Sequence, residues 1–186
     1  MTTDFKITLF ALAVMAMAAP PAAHAAAATG GDKEVKMMNS FGGACPKCEL
    51  SGRKMAGAHF VGANFGGAAM VGSDLREAKF IASNFASADL SRADLSDSEI
   101  VGANFSGANL SHARLRSTEA RAVNFTGADL TRADFSDVEA TGSVFAKASM
   151  DGVVFRSAEL RATNFRKFAT NPLMPAFSLI AMIVFS

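Results

Sequence analysis

The chain has 186 residues, half of them hydrophobic, with 16 Phe but no Trp or Tyr, and 18 Lys+Arg set against 17 Asp+Glu. That length fits one domain or two small ones. A net charge of +1 argues against a strongly basic nucleic-acid binder and against an acidic polyanion, and the apolar half argues against a wholly disordered chain.

In chain order, residues 1–25 carry the pattern of a secretory signal peptide. Lys6 precedes an apolar run from Ile7 to Ala19, Pro20 and Pro21 break it, and Ala23-His24-Ala25 forms a small-x-small cleavage site. The run is shorter than the roughly 20 residues a spanning helix needs, and no Cys follows it to anchor a lipid. An exported protein, periplasmic or secreted, is therefore expected. The mature chain begins near Ala26, and residues 26–44, with their Gly pairs and no sustained period, read as a flexible linker.

Cys45-Pro46-Lys47-Cys48 comes next. A C-x-x-C can be a redox pair, half of a metal site or a local disulfide. There is no second C-x-x-C, and Glu49 stands where haem attachment would need His. Only His59 and His112 remain after signal removal, which disfavours a four-ligand zinc site from this chain alone. The pair lies at the first repeat, not at a helix N-terminus that would lower a thiol pKa. In an exported chain, Cys45 and Cys48 are structural disulfide candidates, with thiol-redox chemistry as the alternative.

From Leu50 to Phe165 every fifth residue is large and apolar. Of these 24 positions all but Ala120 and Ala140 are Leu, Phe, Met or Ile, and no insertion breaks the register. Two residues before each stands a small residue, most often Ala, and between them a mostly polar one. A period of five wastes an α-helix, where it advances about 500°. It equally wastes a straight strand, where an odd period alternates faces. The chain must turn once per repeat and coil so that its turns pair as parallel strands. Sorting by twenty adds a second period: Phe65, Phe85, Phe105, Phe125, Phe145 and Phe165 fall on one side, forming a core ladder. That is the signature of a four-sided coil, with stacked rings about 4.8 Å apart. On the side of Ala120 and Ala140 the preceding small positions become Thr118 and Val138, which restores core volume.

Units such as Ala88-Asp89-Leu90-Ser91-Arg92, Ala103-Asn104-Phe105-Ser106-Gly107 and Ala128-Asp129-Leu130-Thr131-Arg132 resemble the A(D/N)LXX units of pentapeptide-repeat proteins. The resemblance covers residues 48–167. It implies an all-β, right-handed quadrilateral parallel β-helix, here of about six coils of four repeats, occupying residues 45–167. Paired cysteines just before the first repeats are similar to those of some family members, which supports the structural reading of Cys45 and Cys48.

The same sorting sets outward stripes. Glu99, Glu119, Glu139 and Glu159 align on one side, with Lys79, Arg121 and Arg161 near them, and form a candidate interaction stripe. Arg76, Arg114, Arg116 and Arg156 alternate with Asp74, Asp94 and Asp134 on a neighbouring side, and Arg92, His112 and Arg132 stack at a corner. Asn64, Asn84, Asn104, Asn124 and Asn164 form a ladder whose amides can bond along the rod.

Residues 168–186 are read as an apolar tail. Phe168 falls where the repeat wants a small residue, and Pro172–Ser186 carries no charge yet is too short and proline-rich for a membrane span. A solenoid end needs a cap, so the tail is expected to cover the last coil or to join two molecules as a homodimer. The chain holds no GxSxG, HExxH, P-loop or helix-opening GxGxxG motif. The expectation is a non-enzymatic exported scaffold that uses no catalytic residue, cofactor or metal and binds a protein or envelope partner. A DNA-mimicking topoisomerase-protection role, known in the family, is disfavoured by neutral charge and the export signal, and nucleic acid is not an expected partner.

Overall fold

A computed structural model describes residues 39–165. The segments expected to be a signal peptide (1–25), a linker (its residues 26–38) and an apolar tail (168–186), together with residues 166–167, lie outside the described residues.

Every repeat bends at the same place. The residue two after each large side chain has positive φ, from Lys47 through Gly52 to Ala162. The large residue's carbonyl accepts the N–H three residues on, as Leu90 does from Ala93 at 3.0 Å. This is the geometry of a type II turn, whose third residue must be left-handed. Glycine fills that position in many repeats, but 14 non-glycine residues adopt it as well.

Four such turns return the chain to its start after twenty residues. Strands β1 (Asn39–Phe41), β2 (His59–Val61) and β3 (Lys79–Ile81) pair in parallel in the order β1-β2-β3. Their register is fixed at twenty, with Phe60 opposite Phe80. The other three sides pair through bridges at the same offset, among them Asn64↔Asn84, Asp89↔Asn109 and Asp94↔Arg114. Backbone bonds run between coils: Leu90 and Arg92 donate to the carbonyls of Asn109 and Ser111, and Asp89 donates back to Ala68. The architecture is the right-handed β-helix with four sides that the repeat period implies.

The first coil begins earlier than the sequence suggested. Residues 39–44, assigned to the linker, already follow the register: Asn39 pairs with His59 and Ala44 with Asn64. Gly42 supplies the left-handed corner at φ 65°, so a glycine pair that reads as a linker is a repeat turn.

The large and small residues of each repeat fill the interior. Phe80, Phe85, Phe105, Phe125, Phe135 and Phe145 have no exposed surface. The ladder from Phe65 to Phe165 stacks with centroids 4.7–5.5 Å apart, closest between Phe85 and Phe105. A second stack, Phe60 on Phe80, meets it edge to face, with Phe80 and Phe85 5.1 Å apart at 86°. Edge-to-face contact suits the ring quadrupoles where two columns meet at a corner. In the coil where Ala140 vacates that second column, Phe135 enters from the next one and contacts Phe145. Close packing requires such an exchange of volume, since an unfilled void destabilises in proportion to its size.

Candidate functional site

Outward positions repeat every coil, so the described surface is built of ladders. The residue before each large side chain is commonly Asp or Asn because its short side chain completes the turn. The Oδ1 of Asn64, Asp89, Asn109 and Asp134 each accepts the N–H two residues on, at 3.0 Å. On the asparagine side the amides also join coil to coil. Asn84, Asn104 and Asn124 donate through Nδ2 to the Oδ1 of the asparagine one coil earlier, at 2.9, 3.1 and 3.2 Å. Val144 interrupts this ladder.

The glutamate stripe stands on the side of β2 and β3, and each of its four carboxylates meets a cation. Lys79 Nζ lies 2.8 Å from Glu99 Oε2, and Arg161 Nε lies 2.8 Å from Glu159 Oε1. The Arg121 guanidinium bridges two coils, contacting Glu119 with one nitrogen and Glu139 with the other at 3.1 Å. Carboxylates stacked one coil apart would otherwise repel, and the interposed cations offset this.

The neighbouring side pairs Asp74 with Arg76 in a two-pronged contact, Nε to Oδ1 and Nη2 to Oδ2, both 2.8 Å. Arg76 thereby holds the Asp74 carboxyl below its usual range and has its own pKa raised. Looser pairs follow, Arg114 with Asp94 at 3.7 Å and Arg116 with Asp134 at 3.6 Å. Arg92, His112 and Arg132 occupy successive left-handed corner positions, exposed to solvent.

Cys45 and Cys48 form a disulfide across one corner turn, with Cα atoms 5.4 Å apart. Cys45 takes the slot that Phe65 fills one coil later and packs against the core, while Cys48 takes the slot of Ala68. The structure thus brings the two cysteines together, stacks the phenylalanine ladder, and aligns the four glutamates. Among the described residues no three His, Cys, Asp or Glu side chains gather to hold a metal, and no helix is long and apolar enough to cross a membrane.

Two features escaped the sequence reading. Arg121 serves two glutamates at once, a relation visible only when residues 119 and 139 are set on adjacent coils. Buried hydroxyls of Ser83 and Ser143 act as acceptors for backbone N–H groups one coil earlier. Their sole sequence signal is a Ser where most repeats carry Ala.

Two family models match this ladder-bearing region: "Pentapeptide repeat region" over residues 73–145, and "Pentapeptide repeats (8 copies)" over 48–97 and 133–167. The chain belongs to the pentapeptide-repeat family. Comparison with curated proteins gives no match. Among solved structures it is similar to HetL, a pentapeptide repeat protein involved in heterocyst differentiation regulation from the cyanobacterium Nostoc sp. strain PCC 7120. Identity there is 19%, over 68% of this chain and 84% of that one, with a TM-score of 0.35. It is also similar to QnrB1, a plasmid-mediated fluoroquinolone resistance protein, at 18% identity over 66% and 70% of the chains and a TM-score of 0.35. A third is a pentapeptide repeat protein of the Arabidopsis thaliana thylakoid lumen, at 20% identity over 73% and 74%, with a TM-score of 0.31.

Proposed function

We propose that this chain is a non-enzymatic exported scaffold whose flat faces bind a protein or another component of the cell envelope. The observation that carries this reading is the surface itself: charges stand in one-coil ladders on flat sides, with the glutamate stripe Glu99, Glu119, Glu139 and Glu159 fully interleaved with cations. Regular faces of this kind suit partner binding better than chemistry, which needs a concave, desolvated site. The same interleaving supports a scaffold over a DNA mimic, because mimicry of a polyanion needs unneutralised acidic rows.

Export is supported by residues 1–25 and by the Cys45–Cys48 disulfide, a bond that persists in oxidising compartments. With Cys45 seated in the core column, a structural role for the pair is favoured over thiol-redox chemistry.

The test is to express the full chain in a bacterial host, fractionate the cells and determine the mature N-terminus and thiol state. The expected product starts near Ala26, lies in the periplasm or medium, and takes up alkylating agent only after reduction. A full-length cytoplasmic product with freely alkylated cysteines would overturn the exported reading. For the surface, reversing Glu99 and Glu139 to Lys should abolish cross-linking to whatever partner the wild-type chain captures in the envelope fraction. Unchanged cross-links would remove the stripe from the interface.

A further inference from the structure

The C-terminal coil differs from the central coils in two ways. Two of its outward positions turn apolar: Val144 replaces asparagine in one ladder, and Val154 stands where Asp94, Arg114 and Asp134 precede it in another. Val154 is 41% exposed. Its interior is also only partly covered. Phe155, Leu160 and Phe165 are partly buried, whereas Phe135, Ala140 and Phe145 one coil earlier are completely so.

In the register of every earlier coil, the N–H groups of Phe155 and Leu160 and the carbonyls of Val153 and Ala158 point toward a following turn. The repeat does not supply that turn, since Phe168 falls on a small position and Thr170 on a large one. Such an edge, with a partly covered apolar centre and strand positions at its rim, is a site of association unless something covers it.

We propose that residues 172–186 of the same molecule lie across this end, over Phe155 and Leu160, and reach Val154. The segment has the required chemistry: PLMPAFSLIAMIVFS carries no charge. It also has the required position. Only residues 166–171 separate it from Phe165, a span of at most about 25 Å fully extended. Tethering at that length holds the segment at an effective concentration on the order of millimolar, which favours its own coil end over that of a second molecule.

The experiment compares the full chain, a chain lacking 172–186, and full-length Val154→Asp, by hydrogen exchange, light scattering and chymotrypsin cleavage. Removing the segment is expected to speed exchange of the amides in 150–165 about tenfold, with monomer mass before and after. Val154→Asp, whose altered side chain is outside the core, is expected to leave exchange in 80–130 unchanged and to make Phe177 cleavable at least several-fold faster. Unchanged exchange at 150–165 on deletion, or unchanged cleavage at Phe177 in Val154→Asp, overturns the proposal. It also falls if the full chain is a dimer that deletion converts to a monomer, because the occupant would then be a second copy. Flotation with lipid vesicles that needs 172–186 would overturn it too, in favour of a membrane surface.

Discussion

The Ser143 hydroxyl serves Val123 as a turn carbonyl would: it accepts that residue's N–H at 2.9 Å and donates to the Ala120 carbonyl at 2.6 Å. At an ordinary corner the N–H goes to the carbonyl three residues earlier, as Ala128 does to Phe125. Here a side chain from the next coil fills the role inside the dry interior. Ser98 is also buried, but its hydroxyl has no partner.

Two serines of similar burial should therefore respond oppositely to truncation. Ser143→Ala leaves the Val123 N–H buried and unpaired, and is expected to cost about 1–3 kcal/mol. Ser98→Ala removes a hydroxyl that has lost its water without compensation, and is expected to be neutral or to stabilise by up to about 1 kcal/mol. Urea midpoints at unchanged slope measure both. Equal losses would show that the hydroxyl of Ser143 has no special part.

The asparagine ladder offers a gain-of-stability experiment. Asn124 Nδ2 donates to Asn104, but at position 144, where the next amide would stand, there is a valine. Val144→Asn should let a new Nδ2 donate to Asn124 Oδ1 and a new Oδ1 accept from the N–H of Ala146. The expected gain is about 0.5–1.5 kcal/mol, the net worth of a protein hydrogen bond, less the lost apolar area. Asn104→Ala, which breaks the ladder in its middle, should lose at least as much. A melting temperature unmoved by Val144→Asn would mean that the valine's own contacts outweigh the amide.

Ala82, Gly102 and Ala122 occupy one corner in consecutive coils, at φ 52°, 67° and 54°. A left-handed residue with a Cβ costs about 1–2 kcal/mol, against about 0.5–1 kcal/mol for the extra chain entropy glycine loses on folding. The balance predicts that Ala82→Gly and Ala122→Gly each stabilise by about 0.5 kcal/mol. Lying two coils apart, they should add. Gly102→Val should destabilise by more than 1 kcal/mol although a Cβ there meets nothing within 4 Å. Thermal melts of the single and double variants test this, and a destabilised Ala82→Gly would reverse the ranking of the two terms.

These contrasts mark where the sequence could be read and where it could not. The five-residue period fixes one turn per repeat, and the run of Phe at every twentieth residue fixes four sides, because both rest on which side chains go inside. Stripes such as Glu99 to Glu159 follow at once from that arithmetic. The start of the coil was not legible: Gly42 and Gly43 look like a linker until their left-handed corner is paired with β2. Nor was the left-handed backbone of Arg92, His112 and Arg132: spacing stacks them at a corner, but propensity alone gives a left-handed residue there to glycine, and the coil overrides it. The partners of Ser143 and Arg121 depend on side-chain reach across coils, which spacing does not encode.

The Asp74–Arg76 pair gives the surface a predictable acid response. Arg76's hydrogen bonds hold the Asp74 pKa below its ordinary 3.8, so the native state favours the ionised carboxylate. Stability from this pair is therefore present at neutral pH and down to about pH 4, and is lost as pH falls through the lowered native value. Arg76, with its pKa raised, stays charged throughout. Arg76→Gln should lower the melting temperature slightly at pH 7, the contact being partly exposed and screened by salt. The gap from wild type should narrow below pH 4 and close once Asp74 is protonated in the native state, and should also shrink in high salt at pH 7. A gap that persists unchanged after that protonation would show that Arg76 stabilises the coil by packing its stem, not by its bond to Asp74.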